Sequence, residues 1–173
     1  MYSVDDKDIV KELNGVPALS VGAPMPLILA NEHKLILVYA SDESEPDWGQ
    51  VDLVNNSPEF ELSLALIEFH LPLVHSLGPP NDETLHGHPL ANRGLSHYDA
   101  FEVLNSSWIL GLDGMNSIHP RHNPNRFASF KHFIFTFHDS TFECIAESFK
   151  SAIRHTSMEF VLTEMVGILD HRV

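Results

Sequence analysis

Residues 131–148 read Lys-His-Phe-Ile-Phe-Thr-Phe-His-Asp-Ser-Thr-Phe-Glu-Cys-Ile-Ala-Glu-Ser. Side chains alternate between faces along a strand, so Phe133, Phe135 and Phe137 share one face, as do Phe142, Cys144 and Ala146 beyond Asp139-Ser140. A hairpin turning at Asp139-Ser140 sets Phe137 opposite Phe142, Phe135 opposite Cys144 and Phe133 opposite Ala146. One face is then wholly apolar and must be covered. The other pairs His138 with Thr141, Thr136 with Glu143, Ile134 with Ile145 and His132 with Glu147, and leaves His138 diagonal to Glu143. Asp-Ser is not the Asn-Gly or Asp-Gly that two-residue turns prefer; a four-residue loop from His138 to Thr141 leaves the same facing pairs. An antiparallel sheet is therefore the frame that the rest of the chain must complete.

The flanking segments supply partners for it. Residues 26–30 and 35–40 are short β-prone runs joined by the polar Asn31-Glu-His-Lys34, which predicts an antiparallel pair. Residues 61–71 carry Leu62, Leu64 and Leu66 on one face and Ala65, Ile67 and Phe69 on the other. That pattern predicts a central strand covered on both sides and ended by Pro72, with 73–77 as an extension. The acidic stretch 41–50 contains Pro46 and Gly49 and reads as an exposed loop, followed by a short strand at 51–54 and a turn at Asn55-Asn-Ser-Pro58. Residues 78–97 hold three prolines and three glycines and read as irregular; loops of that length in compact domains tend to carry function.

Residues 101–104 suit a strand, after which Ser106 caps a helix whose Trp108, Ile109, Leu112, Met115 and Ile118 recur at helical spacing. Gly111 and Gly114 weaken that helix and Pro120 ends it. Met158, Phe160, Val161, Met165, Ile168 and Leu169 outline a C-terminal helix, capped by Thr156 or Ser157 and expected to cover the apolar face of the sheet. Ile9, Val10 and Leu13 among charged residues predict a short N-terminal helix within 1–14. The expected fold is one α+β domain spanning 1–173, with a single antiparallel sheet of about six or seven strands, two helices packed on one face, and an irregular loop at 78–97.

A chain of 173 residues can bury a core without disulfide or metal staples, and its eleven phenylalanines supply bulky material for one. The formal net charge of −14 repels polyanions, which excludes nucleic acid as a partner. The charge is uneven: residues 1–68 carry thirteen acids against three bases, whereas 69–155 carry eight against six. The second half is therefore where a local positive field for a small anion could exist, given protonated histidines. No apolar run approaches the roughly 18 residues of a membrane span, and residues 1–18 open acidic, without the pattern of a signal peptide. A soluble cytoplasmic protein with no membrane partner is expected, and the single cysteine, Cys144, agrees with a reducing compartment. A homodimer is compatible with the chain because symmetric dimers are common, but no heptad repeat or other pattern selects it.

Nine of the twelve histidines lie between His70 and His138, so a site is expected there. His86-Gly-His88 places two imidazoles on one side of an extended segment, and His138, Asp139 or Glu143 could complete a set for a divalent metal such as zinc, iron or manganese. Neither His-Glu-x-x-His nor a Cys/His finger accompanies them, and the plainer reading is of surface histidines. His138 with Glu143 is the candidate acid–base pair, followed by His132 with Glu147, because a carboxylate holds an imidazole in one tautomer near neutral pH. The plainer reading is a solvated polar face. Cys144, between phenylalanines, reads as an inert hydrophobe.

Arg121, His122 and Arg126 form a short basic loop that Arg93 and His132 could join around a carboxylate or phosphate, with Trp108 as an aromatic wall. The plainer reading pairs the arginines with surface acids and places Trp108 in the core. There is no glycine-rich phosphate loop, and Gly78-Pro-Pro-Asn-Asp-Glu83 lacks the alternating ligands of a calcium loop. No motif names a family or a reaction. The expected function is a binding domain whose His-rich polar cleft takes a small anionic ligand or a protein partner; the alternative is a metal-dependent enzyme built on a His/carboxylate site.

Overall fold

The structure, a computed structural model, describes residues 3–42 and 62–170. The strand expected at 51–54, the turn after it and most of the acidic loop lie outside the described residues. In chain order the strands are β1 (Ile9–Glu12), β2 (Leu27–Ala30), β3 (Leu35–Ala40), β4 (Leu62–His70), β5 (Val74–Gly78), β6 (Ala100–Leu104), β7 (Lys131–Thr136), β8 (Thr141–Ala146) and β9 (Ser148–Thr156). The helices are α1 (Ser107–Asn116) and α2 (Met158–Asp170).

The class is α+β, but the single sheet of six or seven strands is replaced by two antiparallel sheets, β1-β6-β7-β8-β5 and β2-β3-β4-β9. Two corners split them. Pro72 has no N–H for a ladder, and Leu71 before it takes a left-handed φ of 48°, so β4 stops and the chain re-enters as β5 at the edge of the other sheet. At the second corner Glu147 separates β8 from β9, which a continuous reading of 131–148 does not anticipate. Leu73 N–H donates to Ile145 O at 2.8 Å and Glu147 N–H to His70 O at 3.0 Å, tying the two corners together.

β4 is central and apolar on both faces, as its sequence predicts. Ala65, Ile67 and Phe69 join Leu35, Leu37 and Tyr39 against Phe133, Phe135 and Phe142 of the five-stranded sheet and Phe137 just beyond β7. Phe69 meets Phe133, Phe142 and Phe149 with ring centroids 5.7, 5.6 and 6.3 Å away. The opposite face of the four-stranded sheet, with Ile36, Val38, Leu64 and Leu66, is covered by Val161 and Met165 of α2. The phenylalanine face of the 131–148 hairpin is thus covered by the second sheet, and the C-terminal helix lies on that sheet's far side. Ser157 is the α2 cap, its Oγ accepting from Phe160 N–H at 3.3 Å. Arg154 on β9 donates through Nε and Nη2 to Glu164 at 3.0 and 2.7 Å, which holds the Glu164 carboxyl below its usual range.

The N-terminal helix expected within 1–14 is instead strand β1, paired with β6 from Ile9↔Leu104 to Glu12↔Phe101. A short isolated helix is marginal, and the ladder offered by β6 outcompetes it. Val10 then packs with Leu90, Phe101 and Val103 on the outer face of the five-stranded sheet. Among the described residues, no helix is long and apolar enough to cross a membrane.

Candidate functional site

The turn between β7 and β8 decides who meets Glu143. It is centred on His138-Asp139, closed by Phe137 N–H donating to Ser140 O at 2.8 Å, and it sets Phe135 opposite Phe142 and Ile134 opposite Glu143. This is two residues away from the expected register. A shift of two keeps every side chain on its face but exchanges all partners. Neither expected pair forms: His138 stays on the turn, and Glu147 lies beside His70 at 3.5 Å. Glu143 is diagonal to His132 instead, and Glu143 Oε2 is 3.0 Å from His132 Nε2.

A second imidazole arrives from above. Residues 85–93 form two short 3-10 turns over the outer face of the sheet, anchored by the buried Leu85 and Leu90. They place His88 Nε2 3.3 Å from Glu143 Oε1. Leu90 N–H donates to His88 Nδ1 at 3.1 Å, so that nitrogen presents a lone pair and the ring proton sits on Nε2, facing the carboxylate. On His132, Nδ1 is 3.0 Å from Ser106 Oγ. Ser106 Oγ itself accepts from Ile109 N–H at 3.4 Å, and His132 Nε2, facing a carboxylate oxygen, is the ring's donor towards Glu143. Two ring N–H groups therefore converge on the two oxygens of one carboxylate. Both imidazole side chains are 0% exposed and that of Glu143 only 9%.

Ser106 reaches this position because Asn105, at a left-handed φ of 54° that asparagine tolerates, turns the chain out of β6 into α1. The start of α1 is held by Asp8, which is buried and accepts from Ser107 N–H at 2.7 Å, from Ser107 Oγ and from Asp5 N–H at 3.0 Å. A carboxylate at a helix N-terminus is favoured by the helix dipole and by the open first-turn N–H groups. The helix ends at Asn116, short of Ile118, and buries no residue completely; Leu110, Met115 and Ile118 are exposed. Trp108 is not a core residue. Its ring meets His132 edge-on at 5.2 Å.

Where α1 approaches β5 and β8 lies a cleft of about 670 Å³, bordered by Glu143, Trp108, Gly111, Leu112, Met115 and Ser76 among others. A smaller one of about 470 Å³ lies on the other side of α1, bordered by Ser106, Asp113, Lys7, Lys131 and Phe127. Ser106, His132 and Glu143 have the connectivity of a hydroxyl–imidazole–carboxylate relay. Ser106 is nonetheless 3% exposed, and its oxygen is engaged as the α1 cap, so it reads as a structural hydroxyl.

The other expected site residues fall in separate places. His86 packs beside His97 at 6.3 Å, and His138 lies 3.0 Å from Asp139 Oδ1 and 3.8 Å from Asp82 Oδ2. His86, His88, His138 and Asp139 do not converge, and among the described residues no three His, Cys, Asp or Glu side chains are grouped to hold a metal ion. Asp82 accepts from Tyr98 Oη, which lowers the Asp82 pKa and raises that of Tyr98. The hydrogen bond with Asp139 and the charge of Asp82 raise the His138 pKa. Arg93 donates to Asp8 O at 2.9 Å, Arg121 is exposed, and Arg126 borders a small cavity with Glu32 and Glu147. His122 lies 3.2 Å from Asp113, apart from His132 in the buried network. The basic loop and Arg93 thus engage different partners. Burial pushes the Cys144 thiol up, consistent with an inert core cysteine.

Of the network, the sequence flags Glu143, His132, His88 and the Ser106 cap, and brings His88 and Glu143 together only as possible metal ligands, not as hydrogen-bond partners. Asp8 carries no local signal, since its partner is Ser107, far along the chain. No family model matches the chain, and neither a curated protein nor a solved structure matches it.

Proposed function

We propose that the protein is a small-molecule-binding domain whose ligand occupies the cleft beside α1, with Glu143 at the floor and Trp108 at the wall. The supporting observation is Glu143 itself, a nearly buried carboxylate held by two imidazoles at the edge of a cleft of about 670 Å³. A buried charge costs stability unless partners compensate it, and such groups concentrate where ligands are handled. The volume falls within the roughly 300–1,000 Å³ of small-molecule sites. Leu112, Met115 and Trp108 give the cleft an apolar side, while Glu143, Ser76 and Ser107 give it polar groups to orient a ligand.

Gly111 offers the test. It borders the cleft within α1, and a Cβ added there meets no atom within 4 Å. Glycine is also the poorest ordinary residue for a helix interior, so Gly111→Phe gains helix propensity while its side chain takes up space beside the cleft. Fragments of mixed charge screened by ligand-observed NMR are expected to include binders to the native protein that Gly111→Phe loses. Fragment binding unaltered by Gly111→Phe, or no binders at all, would overturn the reading.

A further inference from the structure

We infer that α1 is the docking face for a second copy of this chain, laid antiparallel across the first about a two-fold axis. The outward side of α1 carries Leu110, Gly111, Gly114 and Met115, all exposed, and Ile118 follows on the next turn at 90% exposure. A helix that faces only water shows charged side chains there. The single charged residue of α1 is Asp113, which is half-buried and 3.2 Å from His122. A Cβ added at Gly111 or Gly114 meets no atom within 4 Å, so the crest of the helix is open to close approach by another backbone.

Charge selects the occupant. In a chain of net charge −14, residues 105–126 hold one acid, Asp113, against Arg121 and Arg126, so this is where two copies repel each other least. The ends of α1 also differ in sign. Asp5 N–H donates to Ser107 Oγ at 3.0 Å, which sets the exposed Asp5 and Asp6 beside the first turn; Lys7 after them borders the smaller cleft, and Asp6 is 3.7 Å from Arg93. Past the last turn stand the exposed His119 and Arg121. An antiparallel pair brings the acidic end of each copy to the basic end of the other, as a two-fold axis requires. An axis between Leu112 and Asp113 sets Leu110 opposite Met115, Gly111 opposite Gly114 and Ser107 opposite Ile118. A flat anionic lipid surface would suit Arg121 but meet Asp5 and Asp6 as well. One helix pair lies at the small end of specific interfaces, below roughly 1,200 Å², so the dimer is transient. Gly111 and Met115 border the larger cleft, so the second copy adds to its rim.

Sedimentation velocity of the native protein, from about 1 µM to about 1 mM, is expected to show a reversible monomer–dimer equilibrium. Ile118→Glu should leave the protein monomeric with an unchanged denaturation midpoint; Ile118 is exposed and borders neither cleft beside α1, so the result is independent of any ligand there. Asp5→Arg and Arg121→Asp should each weaken the dimer about tenfold, and the double variant should restore it. A monomer at every concentration, or a dimer indifferent to Ile118→Glu, would overturn the docking face. A double variant no tighter than the single ones would overturn the antiparallel arrangement. Native protein that stays monomeric yet floats with vesicles of phosphatidylcholine and phosphatidylserine, and no longer does so in Ile118→Glu, would overturn the second copy and assign the face to a lipid surface.

Discussion

His138 stands on the β7–β8 turn with Nδ1 3.0 Å from Asp139 Oδ1, and the nearby Asp82 adds a second negative charge. Both favour the imidazolium, so its folded pKa lies above the ordinary 6.5. A raised folded value stabilises the turn fully below the unfolded pKa of about 6.5, and that contribution fades as pH rises through the folded value. Asp82 has the opposite sign. Its pKa is lowered by the Tyr98 hydrogen bond, so its contribution is present above the ordinary carboxyl range and fades on acidification. An NMR titration of the His138 ring should therefore give a midpoint above 6.5 that moves down in Asp139→Asn. A midpoint unmoved by that substitution would show that Asp139 is not the cause. This histidine also marks a limit of reading from pattern. Alternation assigns His138 and His132 to the same face, yet which of them Glu143 meets depends on the centre of the turn, and Asp139-Ser140 and His138-Asp139 differ by one peptide.

At the scale of the element, α1 is held by polar groups more than by an apolar stripe. Its Trp108, Ile109, Leu112, Met115 and Ile118 recur as in a core helix, but Met115 is 67% and Ile118 90% exposed, and Trp108 borders a cleft. Periodicity locates a helix without saying how deeply its face is buried. What positions α1 is long-range: the Asp8 carboxylate on Ser107, and the Ser106 hydroxyl between Ile109 N–H and His132. The Ser106 cap is legible locally, whereas Asp8 sits in a stretch whose charges suggest an exposed helix. Asp8→Ala should cost about 1–3 kcal/mol, since it removes a charged acceptor from buried N–H and hydroxyl partners. The denaturation midpoint should fall and, in a Trp48→Phe background, Trp108 emission should shift as the helix start loosens. An unchanged midpoint with unchanged Trp108 emission would mean that other contacts hold α1.

At the scale of the whole molecule, the two sheets share one aromatic layer, and the site depends on it indirectly. β7 and β8 present Phe133, Phe135 and Phe142 inward and His132 and Glu143 outward, so a rigid inner face fixes the spacing of the outer one. The strand that binds the layers together was readable: β4 is apolar on both sides, and a strand of that kind must lie between two covers. That the covers are a second sheet and a helix was not, because Leu71-Pro72 can end a strand at an edge or turn it into another sheet, and only the open edge beside β8 decides between them. Phe69 joins the two sheets through ring contacts to Phe133, Phe135 and Phe142. Truncating a buried phenylalanine removes its transfer energy and leaves a cavity, so Phe69→Ala should cost about 3–5 kcal/mol, a large part of the 5–15 kcal/mol that typically holds a domain together. Because both sheets line that cavity, amide protection should fall together on β3 and on β7, with a lower denaturation midpoint and an unchanged denaturant slope. Loss of protection confined to the four-stranded sheet would mean that the two sheets unfold separately; the outer face carrying His132 and Glu143 would then owe its geometry to the β7–β8 hairpin and α1 rather than to the aromatic layer.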